Sequence, residues 1–363
     1  KPPQRLGALL LVLCAIAAVF DRMDFMCAWL VAWWFCLGVL LGSQANRWMH
    51  VLTGGDWGRA LQPASRFAAS RVTWLLLLHL PLLLGASTLY PWAHANWIAD
   101  IAHPGFKTVW LSKPFFTLRA VCYLFVWWWL ARLGARRTLR KGLAAVAMIV
   151  YGIVLSLAAI DGLASLMPHW YSSAFGLVVA MGQFFAGTAF AIWFACREGK
   201  AGDRPADRPP ISRDLGNLLM MYVMLWAYMA FTQFQIIWAE NLPSEIAWYV
   251  PRLQTNWVWA GWFLIVVHFF MPQVLLLFRG IKDDPRRLAG LALVMLISHE
   301  IDVMWLVLPS VTPHSAVAIA LAVLASLGMS LLLWGDVPRR SASVDERRAS
   351  TPLRSEGTEA AHA

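Results

Sequence analysis

Residues 142–163 read GLAAVAMIVYGIVLSLAAIDGL, and residues 288–308 read LAGLALVMLISHEIDVMWLVL. The first run closes on Ile160-Asp161 and reaches Pro168. The second closes on Ile301-Asp302 and reaches Pro309. Each has the length of a bilayer-crossing helix, about 20 residues. A carboxyl beside such a run is costly in lipid, so it marks a function or a paired site. Two acids at matching places predict a duplicated bundle built around a polar centre, with both runs ending alike.

The rest of the chain fits that reading. Hydrophobic residues make up 60% and charged residues only 14%, and mean hydropathy is +0.58. These values indicate an all-α, polytopic membrane protein. Ten spans are predicted, at 6–20, 25–42, 72–89, 115–133, 142–163, 174–195, 215–238, 257–278, 288–308 and 314–334. The even loops carry Arg47, Arg59, Arg66 and Arg71; Arg132, Arg136, Arg137, Arg140 and Lys141; Arg197, Lys200, Arg204, Arg208 and Arg213; and Arg279, Lys282, Arg286 and Arg287. The odd loops offer only Arg22, Lys107, Lys113 and Arg252. Lys and Arg are retained on the cytoplasmic side during insertion. Both termini and every even loop are therefore expected in the cytoplasm. The net charge of +10 is this bias plus a basic tail. No basic stripe with interleaved aromatics indicates nucleic acid. The chain opens on Lys1, so a trimmed N-terminus is expected, and no signal-peptide cleavage pattern follows the first apolar run.

Spans 5 and 9 are four apart and so point the same way. That predicts two four-helix bundles, spans 2–5 and 6–9, related by an axis along the membrane normal. Spans 1 and 10 would be peripheral. In segments, residues 1–24 hold the first helix and 25–163 the first bundle. Helix six, 174–195, ends the stretch 25–196 and begins the second bundle. A Pro- and charge-rich linker, 197–213, precedes the rest of that bundle, 214–308. The tenth helix lies in 309–334, and the polar tail 335–363 is expected to be disordered. Many of the 22 Trp fall near span ends. Trp92, Trp97, Trp110, Trp248, Trp257 and Trp259 on one side, and Trp48, Trp57 and Trp74 on the other, predict an aromatic belt.

Ionisable residues at membrane depth are the candidate site. His299 and Asp302 are three apart and share a helix face; Glu300 must point elsewhere. Arg119, Asp161, His169 and Glu240 also fall in the outer half, with His268 near the middle of its span and His79 nearer the inner side. The expected arrangement is one polar pocket open to the outside. Such a pocket suits a quinol, whose hydroxyls need an imidazole or carboxylate as hydrogen-bond partner and proton acceptor. The bland alternative is that Arg119 neutralises Asp161 or Asp302, and that His169 and Glu240 face water. Cys14, Cys27, Cys36, Cys122 and Cys196 show no haem-attachment, iron–sulfur or zinc spacing. They read as small apolar residues. His79, His268 and His299 lie on three different helices, so a di-haem pattern is absent. No metal site and no covalent cofactor are expected. After the second span, His50 to Gly58 contains Gly54-Gly55, which suits a tight turn but lacks the Lys of a phosphate-binding loop.

These residues resemble one family. The stretch Asp161-Gly-Leu-Ala-Ser165-Leu166-Met-Pro168-His169-Trp170-Tyr171-Ser172-Ser173-Ala-Phe-Gly176 is similar to a signature of the F-type membrane subunit of alternative complex III, a bacterial quinol:electron-acceptor oxidoreductase. So are His50-x-Leu-Thr-Gly-Gly-x-Trp-Gly58, Pro114-Phe115-Phe116-x-x-Arg119-Ala120, Leu225-Trp226-Ala227-Tyr228 and Asn241-Leu242-Pro243. The chain departs from the pattern at Gly162 (usually Trp), Met167 (usually an acid) and Val51 (usually His). The resemblance covers roughly spans two to nine. It implies a ten-helix fold related to polysulfide-reductase-type (NrfD-like) subunits. It also implies partners: a sister NrfD-like membrane subunit, an iron–sulfur protein and haem c subunits that hold the redox centres. In that family the F-type subunit supports proton movement, and quinol sits more naturally on the sister. The chain is thus expected to act as a subunit and not to catalyse alone. The competing expectations are a secondary transporter, which should have helices broken near the midplane, where these spans read as continuous apart from Pro81 in the third and Pro272 in the eighth, and a structural scaffold.

Overall fold

In the computed structural model, residues 2–94, 97, 105–198 and 209–337 are described. All of their regular structure is helical. The chain begins with α1 (Pro2–Ala17), α2 (Arg22–Thr53) and α3 (Trp57–Ser70). Three short pieces follow, α4 (Val72–Leu77), α5 (Leu80–Leu84) and α6 (Ala86–Leu89), and then α7 (Gly105–Trp110). The long helices α8 (Lys113–Gly134), α9 (Lys141–Gly162), α10 (Phe175–Arg197) and α11 (Ile211–Glu240) come next. Short α12 (Pro243–Ile246) and α13 (Val250–Leu253) lead to α14 (Trp257–Phe263), a π-helical turn at Leu264–Phe270 and α15 (Met271–Leu275). The described chain ends with α16 (Arg279–Lys282), α17 (Pro285–Val311) and α18 (Ala316–Trp334). Among the described residues, eight helices are long and apolar enough to cross a membrane; the bent pair α3 to α5 makes nine if counted as one span. The protein is a multi-pass membrane protein. Most of the predicted linker and the predicted disordered tail lie outside the described residues.

α2 is the axis of the molecule. Its whole apolar window is buried, and it packs against α3, α8, α9, α10, α17 and α18. Its closest approach is to α10. A side chain at Gly42 would collide with the Gln183 carbonyl, and one at Gly187 with the backbone of Gly42 and Ser43. Small residues let helix backbones meet where lipid gives no hydrophobic drive for association. Polar side chains then lock the crossing. Ser43 Oγ donates to the Gly187 carbonyl at 3.3 Å, and Asn46 Nδ2 donates to Thr188 Oγ1 at 2.8 Å. α18 also packs broadly on α2 and carries α1 on its other side. The tenth predicted span is therefore less peripheral than expected.

Loop contacts sort into two ends. At one end the Arg47 guanidinium donates to the Arg136 carbonyl, and Arg71 pairs with Asp336 at 2.5 Å. Arg213 grips Asp283 there with bonds of 2.7 and 2.5 Å, and Gly335 sits against Pro3. That hydrogen-bonded guanidinium holds the Asp283 carboxyl below its usual range. At the other end Ser315 donates to Asp24, Trp92 to Ser165, Trp170 to the Glu245 carbonyl and Trp257 to the Pro313 carbonyl.

Four expectations need correction. First, the two Ile-Asp helices do not end alike. α9 stops at Gly162, while α17 runs nine residues past Asp302, about two and a half turns. Asp302 therefore lies inside its helix. Second, 72–89 is not one helix. Pro81 has no N–H to continue the ladder, and the Leu82 N–H turns to the His79 carbonyl. The Leu75 and Leu78 carbonyls are instead taken by the indoles of Trp33 (2.9 Å) and Trp29 (2.8 Å) on α2. Third, the eighth span runs as one helix, Trp257–Leu275, that widens into the π-turn and stops short of its predicted end. Pro272 cannot donate to the His268 carbonyl, and the Met271 N–H reaches back five residues to Val266. Fourth, four of the nine predicted belt tryptophans are buried within the protein. Trp48, Trp92, Trp248 and Trp257 are buried; of the belt set, Trp74 and Trp259 are the large exposed ones. The Gly54-Gly55 turn does form, with φ of 78° and 95°, values that suit glycine.

Gly187→Ala is expected to cost about 1–3 kcal/mol, because the obstructing atoms are backbone and cannot swing away. The check is the thermal midpoint of the purified protein in detergent. An unchanged midpoint would contradict the close crossing.

Candidate functional site

Three of the predicted site residues converge. His268 comes from the π-turn, and His299 and Asp302 from α17. All three are buried, and they offer ligand-type atoms within 4.8 Å of one another. His299 Nδ1 lies 3.4 Å from Asp302 Oδ2. The angle is wrong for a hydrogen bond, so that nitrogen has no hydrogen-bond partner. The contact is one of proximity and charge.

His268 is oriented by its neighbour across the helix interface. Ser298 Oγ donates its hydrogen to the Met295 carbonyl at 2.9 Å. The same oxygen lies 2.7 Å from His268 Nδ1. With the hydroxyl hydrogen on the Met295 carbonyl, the oxygen accepts from Nδ1 and the imidazole proton sits there. Nε2 is left with a lone pair, buried and without a partner. Apolar rings surround the cluster. Phe185 and Trp226 each lie 4.4 Å from the His268 ring, and Phe35 lies 6.1 Å from His299. Two glycines make the space. A side chain at Gly182 of α10 would lie 3.0 Å from His299 Cε1, 3.7 Å from its Nδ1 and 3.6 Å from Asp302 Oδ2. Gly38 of α2 faces His299 Nε2. Gln183, beside both glycines, accepts from Tyr151 at 3.1 Å.

Arg119 and Asp161 form a separate cluster on the other flank of α2. Arg119 Nε and Nη2 grip the carboxylate at 2.7 and 3.0 Å. Tyr123 and Trp110 each donate to the same carboxylate at 2.8 Å. The guanidinium also lies 4.0 Å from the Trp110 ring centre and 4.5 Å from that of Phe115. Asp161 thus receives four hydrogen bonds, and its charge is matched on the spot. Trp34 of α2 packs beside Gly162, while its neighbour Phe35 faces His299. The single shared pocket expected from sequence is therefore two clusters on either side of one helix.

The remaining candidates sit elsewhere. His79 stacks on Trp33 at 4.2 Å, at the break after α4, with Nδ1 buried and unpartnered. His169 and Glu240 are exposed and contribute to neither cluster. Glu300 does point away: it accepts from Ser326 of α18. Sequence reasoning counted Arg252 only as a loop charge, yet it is fully buried. It donates to the Trp305 carbonyl at 3.0 Å, the Trp248 carbonyl at 2.5 Å and the Leu306 carbonyl at 2.7 Å. Its guanidinium also lies 3.4 Å over the Trp248 ring. Pro309, four residues after Trp305, explains the first of these bonds, because it removes that carbonyl's helical donor. A proline near a span end with an arginine in the preceding loop was the available signal.

No known protein-family model matches the chain, and no curated protein is significantly similar to it.

Replacing one member of the Arg119–Asp161 pair strands the other. Arg119→Met or Asp161→Asn is expected to cost about 3–5 kcal/mol, and the double replacement with apolar residues to recover much of it. A double-mutant cycle on unfolding in detergent checks this. Additive losses would contradict a mutually neutralised pair.

Proposed function

We propose that the chain is an integral membrane subunit of a quinol-oxidising respiratory complex of the alternative complex III type, in a bacterial inner membrane. The observation that carries the reading is the buried His268–His299–Asp302 cluster. Its free Nε2 lone pair and adjacent carboxylate can accept a hydroxyl proton within a dry, aromatic-walled interior. The cluster contributes a proton path or a quinone headgroup pocket. Haem and iron–sulfur centres belong to partners: a sister membrane subunit, an iron–sulfur protein and haem c proteins. The resemblance of the Asp161–Gly176 and His50–Gly58 stretches to the family's F-type subunit supports the same reading.

In this proposal the chain crosses the membrane ten times, with spans 2–5 and 6–9 as matched bundles. Two observations support ten crossings. Odd loops touch odd loops at one end, and even loops touch even loops and the C-terminal segment at the other. The broken stretch from Val72 to Leu89 must then count as a crossing, and α1, about 24 Å long, as a short one. The arginine-rich end is cytoplasmic by the charge rule, which puts both termini there.

A second reading has specific support. The breaks at His79 and at the π-turn are the kind of interruption that transporters place near the midplane. Co-purification separates the two. A respiratory subunit brings cytochrome absorbance and iron with it, whereas a transporter elutes alone and colourless. Within the complex, Asp302→Asn is expected to lower quinol turnover by roughly 10²-fold with the subunits still assembled. Unchanged turnover would remove Asp302 from the chemistry.

A further inference from the structure

The His268–His299–Asp302 cluster can hold more than a proton. We propose that these three side chains form a buried site for one divalent transition-metal ion of the zinc class, with water in the fourth position.

The donor set suits it. Two imidazoles and one carboxylate are ordinary zinc ligands, and three protein ligands with one open position is a familiar arrangement. Bond lengths of about 2.0–2.2 Å put neighbouring ligand atoms of a tetrahedron roughly 3.3 Å apart. His299 Nδ1 and Asp302 Oδ2 already stand 3.4 Å apart, and they do so without a hydrogen bond between them. Each of the three residues, His268 included, offers a ligand-type atom within 4.8 Å of one from the other two.

His268 is prepared for the role. Ser298 fixes its proton on Nδ1 and leaves Nε2 open, as outer hydrogen-bond partners do for metal-binding histidines. The π-turn delivers that ring to the face of α17, and Pro272 enforces the turn. On the α10 side the cluster meets Gly182, where a side chain would crowd both His299 and Asp302. Phe185, Trp226 and Phe35 keep other ligands out. An ion here would occupy the same atoms that receive a proton in the function proposed above, so zinc would oppose turnover. Binding itself needs neither quinol nor partners, so its test stands apart from the respiratory reading.

The test uses the full chain in detergent, stripped with chelator and titrated with Co²⁺, then separately with Zn²⁺ followed by elemental analysis. The expected result is one equivalent per chain and the visible d–d bands of four-coordinate Co²⁺. Both should be lost in His268→Ala and in His299→Ala. Ser298→Ala keeps all three ligands and should weaken Zn²⁺ binding about 10–100-fold. If either histidine variant fails to fold, the bands of the unmodified chain and the Ser298→Ala shift decide the matter. No stoichiometric metal and no bands in the unmodified chain would overturn the proposal. So would Zn²⁺ binding that survives removal of both histidines.

Discussion

The approach of α2 to α10 at Gly42 and Gly187 is the constraint on which the other features rest. Bare backbone meets backbone there, and Ser43, Asn46 and Thr188 fix the register. The same two helices supply Gly38 and Gly182, which admit His299 and Asp302 from α17. One close crossing therefore sets both the packing of the central helices and the room for the polar cluster. A wider crossing would leave the cluster's walls apart; a shifted one would put a side chain where the imidazole lies.

Proline breaks are the second organising feature, and each is answered differently. Around Pro81 the freed carbonyls are taken by two indoles from α2. At Pro309 the freed carbonyl is taken by Arg252, which has no carboxylate partner among the described residues and rests on Trp248. Pro272 instead widens the helix, and the result is an unpartnered nitrogen inside the protein rather than a closed contact. Backbone polar groups in lipid must find partners within the protein. The first two breaks obey that rule with side chains as staples. The third uses the distortion to present His268. The Arg119–Asp161 cluster belongs with the staples, because every strong acceptor on its carboxylate is engaged.

Much of this was legible in the sequence. Long apolar runs gave the helices, and the three-residue spacing gave the His299–Asp302 face. Charge neutralisation of Asp161 by Arg119 was one of the two pairings foreseen. What stayed hidden depended on tertiary contact. His268 joins His299 only because α10 holds the π-turn against α17, which no local pattern encodes. Two tryptophans outside the predicted belt, Trp29 and Trp33, serve as hydrogen-bond donors to broken backbone, a role that no span-end position signals. Helix continuity at 72–89 misled because apolar residues conceal where Pro81 diverts the ladder. Gly42 and Gly187 were invisible as a pair, since nothing in either helix alone says which glycine faces the other.

The central claim is the contact between α2 and α10, and cross-linking tests it most directly. Cysteines placed at Asn46 and Thr188, in a chain lacking its five native cysteines, should be joined rapidly by a short thiol-reactive bridge in intact membranes, as read by mass spectrometry of the linked peptides. The account predicts near-complete linkage of that pair and little between Asn46 and a lipid-facing position such as Leu177. Equal or negligible linkage for both pairs would contradict it.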